Sequence, residues 1–214
     1  MNPDQFVPGQ DLMSSMFHIP DRKSFDARVQ APYVLAEIRA LRSSVFRNSP
    51  EVQRAIAIAG PIEQKYDLNR ADLYLPAIET FCSILEPLAM TILTGTLRRV
   101  GYEIFPQYAA ILGIPKASIK EALGIKDKAD LVRVICTSYS EKGVIGANAG
   151  TLSPLVTDSG MTITDTTFMP CQLQMGVFIG AGMMTGMFRD SALVEKRCRI
   201  KGAPACVYAF TFTH

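Results

Sequence analysis

The segment CQLQMGVFIGAGMMTGMF (residues 171–188), followed by LVEKRCRIKGAPACVYAFTFT (residues 193–213), decides the fold class. Its first half reads as a helix from Cys171 to Phe188. Its second half reads as two strands, Leu193–Ile200 and Cys206–Thr213, joined by the turn Lys201-Gly202-Ala203-Pro204. Working backwards, Leu152–Thr157 and Met161–Phe168 alternate threonine with apolar residues on either side of Asp158-Ser159-Gly160, a second strand pair. Before Gly143 the pattern is helical. After Pro32, Val34, Ile38, Leu41 and Val45 recur at helical spacing with Arg39, Arg42 and Arg47 between them, up to Asn48-Ser49-Pro50. A short helix follows over Val52–Ile58 and ends at Gly60-Pro61. Asn69 is placed to cap helical pieces that Pro76 and Pro87 interrupt. The run from Leu88, then Ser118–Leu123 and Lys128–Ser140, complete the helical part. Helices first, then strands with one inserted helix, imply an α+β fold in which an antiparallel sheet packs with helices.

Composition narrows the function classes. In 214 residues, 48% are hydrophobic and 20% charged, enough for a sizeable core. A formal charge of +2 with interspersed signs offers no basic face, which argues against nucleic acid as a partner. Apolar stretches are broken by Pro, Arg or Glu, so no transmembrane segment is expected. The opening MNPDQFVPGQD lacks the basic start and apolar core of a signal peptide, and the expectation is a cytoplasmic protein. With histidines only at positions 18 and 214, a Ser-His-Asp relay is not available. Gly180-Ala181-Gly182 sits inside a helix rather than after a strand, so no dinucleotide fingerprint is present. No catalytic residue is assigned, and enzymatic activity is not expected.

Five cysteines, crowded toward the C-terminus, fit metal ligation better than a disulfide framework. Cys198 and Cys206 lie on strands that a hairpin brings opposite each other. Cys171 begins a helix, where the dipole favours a thiolate. Glu195 and Cys198 are an odd step apart on a strand and would face opposite sides unless a bulge or the end of the strand intervenes. Three thiolates and a carboxylate would close a tetrahedral shell around zinc. The same residues also read as small buried hydrophobes beside a solvated glutamate, and spacing does not decide between the two.

The ending Glu195-x-x-Cys198, Gly202, Cys206 and Phe210, with Cys171 ahead of a helix carrying Gly176, Gly180, Gly182 and Gly186, resembles the vinyl-reductase-type or hydrocarbon-binding domain. The likeness runs from about Pro87 to His214 and leaves residues 1–75 unplaced. That family includes sensor domains of phenol- and xylene-responsive activators and the 4-vinyl reductase proteins of bacteriochlorophyll biosynthesis. Its fold is similar to the trafficking-particle subunits and to heme-based nitric-oxide sensors. The resemblance implies a structural Zn2+ on Cys171, Glu195, Cys198 and Cys206, in a ligand-binding domain over 76–214 preceded by an arm and helical extension over 1–75.

It also implies an apolar pocket for a flat hydrophobic molecule, with Met175, Phe178, Met183 and Tyr102 as candidate lining residues. The expected function is a zinc-stabilised binding protein for a tetrapyrrole such as a chlorophyll or bacteriochlorophyll precursor, acting as carrier, assembly factor or sensor. One alternative is a vinyl reductase of that pathway using an external reductant. Another is a dimeric scaffold with the helix Tyr33–Arg47 as contact surface; a homodimer is expected in either case. Four glycines inside one helix, each costing about 1 kcal/mol relative to alanine, ask for a reason. Close approach by a neighbouring helix or a ligand is one; tight packing on the sheet is another.

Overall fold

A computed structural model describes residues 16–19, 21–89, 94–157, 160–187 and 193–211. The expected helix end at Phe188, the strand end at Thr213, and residues 90–93 of the helical run lie outside these. The described architecture is α+β with two antiparallel sheets. Strands β4 (Leu152–Thr157), β5 (Gly160–Asp165), β6 (Leu193–Arg197) and β7 (Cys206–Thr211) form one sheet in the order β4-β5-β7-β6. These are the four strands expected from the sequence, but β5 ends at Asp165 rather than Phe168, and β6 at Arg197 rather than Ile200, because Arg199–Lys201 forms a 3-10 turn.

The other sheet was not legible as strands. Here β1 (Arg28–Gln30) pairs with β2 (Tyr74–Pro76) and with β3 (Val144–Ile145), in the order β2-β1-β3. The helix expected from Asn69 is therefore replaced by a turn and strand β2, and a wide π-type turn follows only at Ile78–Cys82. Proline at 76 favours extended backbone at Leu75, which suits pairing with Val29.

Helix α1 (Ala31–Ser43) starts directly from β1, with Pro32 in its first turn. Apart from Arg39, Arg42 and Ser43, all of it is buried, so it is an internal helix rather than a solvated amphipathic one. It ends before Val45, which is 71% exposed instead of facing the core. Helix α2 (Pro50–Lys65) is capped by the Ser49 hydroxyl, which accepts from Val52 N. It runs straight through Gly60-Pro61, where a stop was expected. Proline at 61 leaves the Ala57 carbonyl without its helical donor, and Ala57 is exposed, so water can serve it. The face Val52, Ala55, Ala59 and Ile62 stays buried and holds the helix in place.

Helices α3 (Ser83–Ala89), α4 (Thr94–Ile111), α5 (Ile119–Ala122), α6 (Lys128–Ser138) and α7 (Cys171–Thr185) follow. The central layer is α7. Phe178 on one side meets Tyr208 and Phe210 of the sheet, with ring centroids 6.3 and 5.9 Å away. On the other side α4 approaches closely, and α1 lies behind α4, where Tyr33 packs on Tyr108 at 4.6 Å. A helix apolar all round is what such double coverage requires. Buried residues from both 1–75 and 76–214 (Phe17, Val29, Ile38 and Val52 with Leu131, Phe178 and Phe210) belong to one core cluster.

Two glycines of α7, Gly176 and Gly180, meet a neighbouring helix. A Cβ on Gly176 would stand 2.1 Å from the Arg98 carbonyl oxygen, and one on Gly180 would stand 2.0 Å from that of Tyr102. From the opposite side, Gly101 of α4 lies under the Leu173 carbonyl, 2.1 Å from where its Cβ would be. Gly186 acts through its backbone conformation instead. At φ +68° it ends α7, with Met187 N donating to Gly182 O at 2.9 Å.

Glu37 of α1 is wholly buried, and neither carboxylate oxygen has a hydrogen-bond partner among the described residues. Burial raises its pKa well above the ordinary carboxylate range, so the folded protein keeps it protonated. Its unfolded counterpart ionises near pH 4.3, so this term favours the native state fully only below that pH and is lost as pH rises toward the folded value. Glu37→Gln should therefore raise stability at pH 7 and flatten the pH dependence. Urea midpoints from pH 4 to 8 for both proteins check this. Equal slopes would show that Glu37 is not held neutral.

Candidate metal centre and cleft

Cysteine donors converge where α7, β6 and β7 begin or end. Cys171 is the first residue of α7, Cys206 the first of β7, and Cys198 directly follows β6. All three are buried. The Cys171 and Cys198 sulfurs are 3.5 Å apart, and those of Cys171 and Cys206 are in direct contact, with their Cα atoms 6.7 Å apart. Of the two devices that the Glu195/Cys198 spacing allowed, both are present: Glu195 opposes Tyr208 and Arg197 opposes Val207, so the register shifts between them, and β6 ends at Arg197, before Cys198. Glu195 thereby shares one side of the hairpin with Cys198.

Two overlapping groups of donor atoms result, each confined within 4.8 Å: Cys171, Glu195 and Cys198, and His18, Cys171 and Cys206. The cluster can hold a metal ion, and the surrounding groups fit one. Glu195 Oε2 receives Lys201 Nζ at 3.3 Å, whereas Oε1 is buried with no hydrogen-bond partner among the described residues. A cation beside Oε1 would satisfy it. The Arg199 amide donates to Cys206 Sγ at 3.3 Å. Cys198 O accepts from Lys201 N and Ala203 N at 3.0 and 3.2 Å, in a tight loop that Gly202 allows at φ +87°. Burial, with Glu195 adding to it, pushes the Cys198 thiol up, while amides of Ile200 and Lys201 aimed at the sulfur oppose that. A bound cation would reverse the balance in favour of the thiolate.

Around these donors lies a supporting shell. Tyr208 donates to Asp165 Oδ2 at 2.8 Å, and the Thr167 amide donates to Oδ1 at 2.8 Å. Burial raises Asp165 to about 6 in spite of both bonds. Arg199 donates to the Thr166 and Thr167 carbonyls at 3.2 and 2.8 Å, pinning the loop after β5 against the hairpin.

His18 is the donor that sequence reasoning missed. Its Nε2 lies 3.5 Å from Cys171 Sγ across 153 residues of chain. Burial, and then the charge of Arg199, lower its pKa to about 4, so the ring is neutral near pH 7 and keeps a lone pair for a metal. No spacing motif reaches that far, and the only signal in the sequence is the residue type itself. Cys82 and Cys136 are buried free thiols away from the cluster.

The candidate pocket residues are not gathered around one space. Tyr102 lines a cleft of about 160 Å³ between α4 and α7, with Gly95, Arg98, Arg99, Gly176 and Ile179. Phe178 points to the sheet, Met175 is buried, and Met183 is 45% exposed. In the cleft the Arg99 guanidinium lies 4.4 Å from the Tyr102 ring centroid and 3.2 Å from Glu103. Its Nε is buried without a hydrogen-bond partner among the described residues. No described helix is long and apolar enough to cross a membrane. Comparison with protein-family models, curated proteins and solved structures finds no match for this chain.

Proposed function

We propose that this chain is a zinc-stabilised binding protein for a flat hydrophobic molecule carrying an acidic group, of which a tetrapyrrole carboxylic acid is the type. Zinc would be held by Cys171, Cys198 and Cys206 with one further donor. That closed shell leaves no place for water, so the ion would pin the start of α7 to the β6–β7 hairpin without acting on a substrate. The observation that carries the ligand part is the cleft beside Arg99 and Tyr102, lined by Ile179 and the glycine backbone of α7. Arg99 Nε supplies an unused buried donor for a carboxylate, and Tyr102 an aromatic face for a ring edge. Pockets that enclose whole drug-sized ligands measure roughly 300–1,000 Å³, so a macrocycle would insert one edge and lie across the mouth.

Absorbance titration of the zinc-loaded protein with a porphyrin dicarboxylate tests this reading. The expected result is a shifted main absorption band with 1:1 saturation, and a loss of about tenfold in affinity for Arg99→Ala, the loss of one charge-assisted contact. A spectrum that stays that of free porphyrin removes the proposal.

A further inference from the structure

We infer that His18 is a ligand of the metal centre, alternative to Glu195 for the one position that the three thiolates leave open. The inference deepens the zinc reading and rests on it. Zinc with three thiolates and nothing else is one donor short of its tetrahedral shell. Two donors stand ready, in two groups that share Cys171: Glu195 with Cys171 and Cys198, and His18 with Cys171 and Cys206. They differ in charge. Three thiolates and Glu195 give the centre a net charge of about −2 and a neutral imidazole gives about −1, and the smaller charge is favoured in a buried site. Lys201 holds Oε2 of Glu195 and would keep that oxygen paired when His18 takes the metal, whereas Oε1 would stay without a partner among the described residues.

The segment carrying His18 is built to present it. Phe17 and Ile19 are buried on either side and fix the backbone, and His18 itself takes the left-handed conformation at φ +52°. A non-glycine residue there is uncommon and needs surroundings that hold it. Residues 21–24 are exposed, with Arg22 and Lys23 among them. With His18 on zinc, the centre would join the N-terminal segment, α7 and the hairpin, elements otherwise separated by 153 residues.

The full chain loaded with one equivalent of Zn2+ is compared with His18→Ala, Glu195→Gln and the double variant. Zinc-edge X-ray absorption reports the donors, and competition with a chromophoric chelator reports affinity. Imidazole scattering is expected in the parent protein and in Glu195→Gln, and its replacement by oxygen is expected in His18→Ala. Each single variant should bind zinc with a modest loss. The double variant should weaken by about 100-fold or more, well beyond the sum of the two, as expected for alternatives. Trypsin cleavage at Arg22 and Lys23 should slow on zinc addition in the parent protein and not in His18→Ala. Adding His18→Cys to Glu195→Gln should keep the affinity, which separates ligation from a folding defect in His18→Ala.

Zinc bound without imidazole, together with a double variant no weaker than Glu195→Gln, overturns the inference and leaves the zinc reading standing. A parent protein that binds no zinc overturns both.

Discussion

Gly180→Ala is expected to destabilise the protein by about 4 kcal/mol and lower its melting temperature by about 10 °C, although it adds a single methyl group. In an exposed helix the same change would stabilise by about 1 kcal/mol. The reversal comes from what the methyl meets. Its nearest neighbours would be the Tyr102 carbonyl oxygen, carbonyl carbon and Cα, at 2.0, 2.8 and 3.1 Å. These are backbone atoms inside α4, with no side chain able to swing aside. Relief requires the two helix axes to separate by about 1 Å, which opens voids along the whole α4–α7 contact. Gly176→Ala should behave alike, because the Arg98 carbonyl oxygen is 2.1 Å from its would-be Cβ. Gly60 supplies the contrast: apart from its chain neighbours nothing lies within 4 Å of its would-be Cβ, so Gly60→Ala should cost far less, through the crowding of a Cβ against the Pro61 ring alone. Thermal melts of the three variants check the set. A Gly180→Ala protein that melts with the parent would mean that the helices are farther apart than described.

Removal of the proposed zinc should have an effect at least as large. Structural zinc contributes roughly 10–16 kcal/mol to the folding of small zinc-dependent peptides, and a domain with its own core retains part of its stability without it. A fall in melting temperature of more than about 15 °C is expected on chelation under reducing conditions, restored by Zn2+ and not by Mg2+. Cys206→Ser should show the same fall without chelator. The contact between the Cys171 and Cys206 sulfurs makes the second arm necessary. A protein stabilised by a disulfide at that place would lose stability to reductant and ignore chelator. That pattern, or indifference to both reagents, would remove zinc from the account.

The C-terminal part was legible because its signals are local. Alternation over six residues marks β4 and β7, and Gly202 with Pro204 marks the turn between β6 and β7. Of the donors that the cysteine pattern singled out, the structure groups Cys171 with Glu195 and Cys198, and Cys171 with Cys206 and His18; the Glu195/Cys198 spacing called for a bulge or a strand end, and both occur there. What was missed depends on partners far away in sequence. Strands of two or three residues, such as β1 and β3, show no period, and they exist because residues 28–30, 74–76 and 144–145 meet. Helix α2 passes through Pro61 because its buried face outweighs one missing hydrogen bond. The lining residues could not be sorted, because a helix apolar on every side does not distinguish its sheet-facing side, with Phe178, from its α4-facing side, with Gly176 and Gly180. The glycines asked for a close neighbour without naming it, and Gly101 answers from α4.

The order β4-β5-β7-β6 also bears on how the molecule comes into being. Strand β7 follows β6 in the chain and yet lies between β5 and β6. During synthesis from the N-terminus, β5 and β6 share no neighbour until residues 206–211 have left the ribosome. Cys206 arrives on that same strand, so the sheet interior and the cysteine cluster are completed in one step. A nascent chain that stalls before it would expose the inner edges of β5 and β6, with Met161, Ile163 and Leu193 uncovered, to whatever strand or chaperone reaches them first.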